Sequence, residues 1–228
     1  MKLLKTKALL FLVLLSAGCQ EEEANPNYPI EPSITLESVD FIKSEDNPFD
    51  SLIITIGYRD GDSDLRSSQN QNPQNQYTLL PDPDTGEKYW MFNKKDPALP
   101  PFNCRDYTLI EAYDNSNYPD TVRAIYNDDY YNFNVTVWRK QGESYEAIDF
   151  ISNCRTPLGG IFLMEEQPNT GSPFAVYPIN QWEGRIVYSI NGNLRSYFRN
   201  DSAKVSVSIR DEALHRSNTV ISEPFLFR

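Results

Sequence analysis

One stretch, DSLIITIGYRDGDSD at residues 50–64, constrains the fold more than any other. Leu52, Ile54, Ile56 and Tyr58 alternate with Ile53, Thr55 and Gly57, so one face is apolar along its length, as in a strand that lies half-buried in a sheet. The strand runs straight into Asp60, Asp62 and Asp64. Carboxylates this close repel one another unless solvent or a cation separates them. A core strand that ends in an acidic turn points to an extracellular-type β-domain.

Other alternating segments agree. Ile34 and Leu36 alternate, then Val39 and Phe41 alternate in the opposite phase, so SITLESVDFI is predicted as a first strand with a bulge near Ser38. Tyr131, Phe133, Val135 and Val137 share one face. A turn around Gly142 then lets residues 145–151 pair back as a hairpin. Ile186, Tyr188 and Ile190 mark another strand, as do Val205, Val207 and Ile209. Residues 219–227 close the chain on a strand that Pro224 confines to a sheet edge. Residues 65–130, rich in Asn, Gln and Pro, read as an irregular insertion with short strands expected at 88–92 and 107–112, and residues 153–180 read as loop. About seven strands separated by long turns predict an all-β chain, an immunoglobulin-like antiparallel β-sandwich forming a single domain over residues 33–228 with a long loop insertion.

The charge narrows the partners. The chain carries a net −11, and about −14 once Lys2, Lys5 and Lys7 leave with a leader. Bulk electrostatics therefore oppose binding to nucleic acid or to an anionic lipid surface.

The leader itself is readable. Lys2, Lys5 and Lys7 form a basic start and residues 8–15 an apolar run too short to span a bilayer. Ser16, Ala17 and Gly18 before Cys19 resemble a bacterial lipobox, with Ser16 where Leu is usual. That resemblance implies a signal peptide over residues 1–18, lipidation of Cys19 and a membrane anchor held by two or three acyl chains. An ordinary secretory leader is the alternative. The QEEE that opens the mature chain resembles the acidic export signal of lipoproteins displayed on the outer membrane surface of Bacteroidota; a solvated acidic linker is the other reading. Residues 19–32 are expected as an extended tether with nothing to pack, reaching up to roughly 40 Å at about 3 Å per residue. In an oxidising envelope compartment Cys104 and Cys154 are expected to form a disulfide, with two free buried thiols as the alternative.

In order along the chain, LIITIGYRDGDSD, YYNFNVTVWRKQGESYEAIDF, EGRIVYSI and VSVSIRDEALHRSNTVISEPF resemble uncharacterised Bacteroidota lipoproteins with an immunoglobulin-like domain. In those proteins the acidic turn commonly reads DGDGDLG and the last hairpin DRALNKSN. Here Ser63 replaces a glycine, Arg66 follows Leu65, and Glu212 departs from the second motif. The resemblance implies the fold and brings no activity with it.

Of the chemistry the residues can carry, a calcium site is the sharpest. Alternate carboxylates at Asp60, Asp62 and Asp64 suit a hard cation, although Leu65 stands where an EF-hand needs glycine. If the strands ending at Arg59 and Ile209 take the second and sixth places of an immunoglobulin-like sandwich, their following loops emerge at one end. Asp211, with Glu212 beside it, then joins the three. A solvated Asx-rich turn is the bland alternative. Catalysis has little support: the single His215 reads as a surface side chain, and Asp128–Asp129 and Glu165–Glu166 are adjacent pairs that a strand points to opposite faces. Loop aromatics, among them Tyr89, Trp90, Phe92, Tyr107, Tyr113, Tyr118, Tyr126 and Trp182, suit either a cover over the core or stacking on sugar or protein. The expectation is a lipid-anchored envelope protein, displayed at the surface or facing the periplasm, that acts as a non-catalytic binding or structural module for a protein or glycan ligand. The alternatives are a glycan-capturing accessory of a polysaccharide-uptake system and, last, a hydrolase.

Overall fold

The strand that ends at Arg59 lies in the middle of the molecule because every one of its residues is paired on one side and nearly every one on the other. In the computed structural model, residues 24–25, 27–45, 49–65, 76–92, 104–111, 121–162, 164, 171–198 and 201–228 are described. The leader with Cys19, the acidic run after it, Tyr113, Tyr118 and the Glu165–Glu166 pair lie outside them. In chain order the strands are β1 (Ser33–Ile42), β2 (Asp50–Arg59), β3 (Tyr77–Leu79), β4 (Thr108–Ile110), β5 (Val122–Tyr126), β6 (Phe133–Gln141), β7 (Ser144–Ala147), β8 (Phe174–Pro178), β9 (Glu183–Gly192), β10 (Ser202–Ile209), β11 (Val220–Ile221) and β12 (Phe225–Leu226), with a single-turn helix α1 (Leu194–Phe198) before β10.

The chain is an all-β sandwich of antiparallel sheets. One sheet runs β1-β2-β9-β8 and the other β11-β10-β6-β7, with β12 also on β10. Their inner faces are the alternating residues. Leu52, Ile54, Ile56 and Tyr58 of β2 and Ile186, Tyr188 and Ile190 of β9 meet Phe133, Val135 and Val137 of β6 and Val205, Val207 and Ile209 of β10 in one continuous buried cluster. A period of two places these side chains on one face, and burying each large aliphatic group is worth about 1.5–3 kcal/mol, which is why the pattern fixes the register. The β1–β2 register shifts between Leu36 and Ser38, and this bulge accounts for the switch of phase along β1. Gly142, at φ 61°, supplies the left-handed residue of the two-residue turn between β6 and β7.

Three expectations need correction. Residues 153–180 are not all loop, since FAVYP forms β8 on the edge beside β9; Pro173 before it and Pro178 at its end hide a strand that an edge tolerates. The insertion is less irregular than its composition, because β3, β5 and β4 make a third antiparallel sheet over the described part of it. Residues 88–92 contribute only a bridge from Met91 to Val122 rather than a strand. Here Arg123, 4 % exposed, donates to the carbonyls of Met91 and Phe92 and lies over the Trp90 ring, so a charge is buried where β5 would be expected to carry an apolar residue. The Cys104–Cys154 disulfide ties this insertion to the loop after β7, with a Cα–Cα distance of 5.0 Å.

The N-terminal segment also departs from expectation. Asn25 and residues 27–31 do not trail away as a tether: Asn25 donates to the Gly61 carbonyl and Gly61 to the Pro29 carbonyl, which seats them on the acidic turn.

Candidate metal centre

Strand β2 begins and ends on a buried aspartate, and the two have opposite surroundings. Asp50, fully buried, meets the Arg195 guanidinium at 2.8 Å and accepts from the backbone N–H of Arg195 and Ser44. Burial alone would raise its pKa. The hydrogen bonds from Arg195 outweigh burial and hold the carboxyl below its ordinary range. Asp60, ten residues along and 1 % exposed, has no cation beside it among the described residues. Its neighbours are other carboxylates.

Asp60, Asp62, Asp64 and Asp211 each place one carboxylate oxygen within 4.8 Å of the others. The backbone explains the convergence. Asp60 donates its N–H to the Trp182 carbonyl in the β8–β9 turn, which fixes where the acidic turn leaves β2. Leu65, 1 % exposed, anchors the other end in the core and donates to Asp60 Oδ2 at 3.1 Å. Ser63 between them holds φ at 64°, a left-handed conformation that bends the turn tightly. The loop after β10 approaches through Glu212, whose N–H donates to the Asp64 carbonyl, and Ala213, whose N–H donates to Asp64 Oδ2. Strands β2 and β10 thus deliver their following loops to the same end. The Glu212 side chain is exposed and takes no part in the cluster.

Asp211 is 2 % exposed, and His215 secures it: the His215 backbone N–H donates to Oδ1 at 2.7 Å and ring Nδ1–H to Oδ2 at 2.9 Å. His215 is therefore not the ordinary surface residue expected of it. Its hydrogen bond to Asp211, and then the charge of Asp211, raise its pKa. The four-residue spacing from Asp211 within a short loop was the available signal.

One oxygen on each of Asp60, Asp62 and Asp64 is buried with no hydrogen-bond partner. Orphaned buried carboxylate oxygens are costly, and here they face more negative charge. Burial, then Asp62 and Asp64, push Asp60 up to about 7; burial, then Asp211 and Asp62, push Asp64 up to about 6. The donor set is all oxygen and anionic, which fits a hard divalent cation that takes six to eight oxygens, the remainder supplied by water or backbone carbonyls.

A pH dependence follows for the protein kept in chelator. Both carboxyls hold protons more tightly when folded than at the ordinary 3.8, so the unfolded chain releases its protons first and stability falls as pH rises from about 4 through about 7. His215, also raised, pulls the same way. The melting temperature in chelator is expected to be lower at about pH 7.5 than at about pH 5, with a shallower slope in Asp60→Asn. A melting temperature that rises across that window contradicts this account.

Asp129 binds Arg216 and lies near the Arg210 guanidinium, so it is an ion-pair partner in the structure. Among the loop aromatics, Trp90 lies under Arg123, while Tyr126 packs edge-on to Tyr77 and near Tyr131. Phe92 is 55 % exposed. No helix among the described residues is long and apolar enough to cross a membrane. The chain matches no family model, and comparison with curated proteins and with solved structures finds none that is similar.

Proposed function

We propose that the chain is a non-catalytic binding or structural module, anchored at the outer surface of a bacterial envelope through Cys19, whose sandwich is immunoglobulin-like and is stiffened at one end by calcium. The β1-β2-β9-β8 and β11-β10-β6-β7 orders support the immunoglobulin-like reading, since they follow the ABED and GFC arrangement with one added edge strand. The lipobox-like residues before Cys19 and the acidic run after it support the anchor.

A single observation carries the calcium reading. Three partnerless buried oxygens converge with the buried Asp211, while the equivalent acid at the other end of β2 has an arginine. Calcium supplies the missing positive charge and joins the turn after β2 to the loop after β10. The test is thermal unfolding of chelator-stripped protein titrated with calcium chloride. At a free concentration of about 100 Kd, binding to the folded state alone adds about 2.7 kcal/mol, a rise of roughly 5 °C or more in Tm for a chain of this size. Extracellular modules of this kind hold calcium at about 0.1–1 mM, so the rise is expected to begin in the millimolar range and to reach that size at about 10–100 mM. Asp62→Asn is expected to lose most of it. Identical melting temperatures in calcium and in chelator overturn the reading.

A further inference from the structure

The acidic turn does more than gather carboxylates. Both backbone groups of Gly61, the residue between Asp60 and Asp62, are committed to the segment that precedes the first strand: its N–H donates to Pro29 at 2.9 Å and its carbonyl accepts from Asn25 at 2.6 Å. The approach is close enough that a Cβ at Gly61 would stand 2.5 Å from the Tyr28 carbonyl and 2.6 Å from that of Pro29. Besides these bonds, Tyr28 grips the sandwich through its hydroxyl, which donates to Glu183 at 3.2 Å, and through its ring, which faces the Arg59 guanidinium at 5.7 Å. Asn25 and residues 27–31 form no strand among the described residues. Their seat on the body therefore depends on where the acidic turn holds Gly61.

We propose that calcium in the Asp60, Asp62, Asp64 and Asp211 cluster operates a latch, holding residues 25–31 docked on the sandwich and releasing them when the ion leaves. This rests on the calcium reading above. With the cation bound, the turn stays closed and presents Gly61 to Asn25 and Pro29. Without it, the carboxylate oxygens, within 4.8 Å of one another, repel, and the turn relieves that repulsion by opening. Opening moves Gly61 and removes the two backbone anchors together. A segment with so few buried contacts lies at the low end of local stability, so a modest displacement of the turn is enough to free it. Since docking and ion binding favour the same closed turn, each strengthens the other by the same factor. The chain that leads to Cys19 then leaves the body from a fixed point in calcium and from β1 without it. The sandwich changes from a rigidly mounted domain to one on a longer leash.

The experiment uses the full chain, stripped with chelator and titrated with calcium chloride alone. Hydrogen exchange at the Asn25 and Gly61 amides is followed beside the calcium Kd and the calcium-induced Tm shift. Calcium is expected to slow exchange at both amides by about tenfold or more, and not in Asp62→Asn. Tyr28→Ala removes the side-chain grip without touching a carboxylate, and it is expected to weaken calcium binding several-fold, about threefold or more, while the Tm shift persists at saturating ion. If calcium raises Tm but exchange at residues 24–31 is unchanged and Tyr28→Ala binds calcium as wild type does, the latch is wrong and the calcium site stands. If calcium gives no Tm shift and no binding, the site itself is wrong and the latch falls with it.

Discussion

Phe133→Ala is expected to destabilise the protein by about 3–5 kcal/mol, lowering Tm by roughly 6 to 20 °C for a chain of this length. Phe133 is completely buried in β6, and its ring meets the opposite sheet at Tyr188 of β9 (5.0 Å) and Phe174 of β8 (5.4 Å), with Phe162 from the loop before β8 at 6.3 Å. Its backbone exchanges both hydrogen bonds with Gly160, so the residue cannot slide to fill the space its ring would leave. The rings around it are held in turn, since Phe174 stacks on Tyr188 and the Tyr188 hydroxyl donates to the Leu158 carbonyl. A site that cannot collapse leaves a cavity, and the cavity adds to the lost transfer energy. Phe133→Leu keeps most of the volume and is expected to cost about half as much. Urea unfolding of both variants measures this; a loss below about 1 kcal/mol in Phe133→Ala would mean that the aromatic cluster is not what joins the two sheets.

Loss of the disulfide is the second large effect. Cys104 and Cys154 are 50 residues apart, and closing a loop of that length stabilises the folded state by about 4 kcal/mol in the chain-entropy model. The enclosed chain contains β4 to β7, which belong to two different sheets. The bond therefore limits how far the β3-β5-β4 sheet can move from the sandwich in the unfolded ensemble. Beside it, Arg105 and Asp149 form a paired contact at 2.8 Å, with Ser152 also donating to Asp149, so the crosslinked region keeps local structure when the bond is cut. The Cys104→Ser/Cys154→Ser variant is expected to unfold at a lower urea midpoint while its far-ultraviolet signal before the transition stays that of a β protein. An unchanged midpoint would show that the two ends are held together without the bond.

The long strands were legible because one wet face and one dry face impose a period of two, which β2, β6 and β9 keep, β1 keeps on each side of its bulge, and β10 keeps in its apolar residues Ala203, Val205, Val207 and Ile209. The convergence of Asp211 on Asp60, Asp62 and Asp64 was legible for a different reason: once two strands have places in a sandwich, their following loops have no choice of end. What escaped reading depends on partners distant in sequence. β5 reads VRAIY with Arg123 buried at its second position, its guanidinium donating to carbonyls about 30 residues away that leave no trace in the local pattern. The docking of residues 25–31 is made of backbone hydrogen bonds to Gly61, and a peptide group carries no side-chain signature. The role of His215 was hidden for a similar reason. A histidine in a polar loop looks alike whether or not it steadies a buried acid.

The sheet margins also bear on how copies of this chain meet. The rim strand β1 is interrupted by its bulge, β8 stops after five residues at Pro178, β7 has four residues, and the last margin is split into β11 and β12 with Pro224 between them. A neighbouring copy seeking to extend a sheet would find few consecutive unpaired amides at any of these rims, even where Ile221 and Leu226 are open to solvent. Concentrations that would drive long flat strands into fibrils are therefore expected to leave copies of this chain separate.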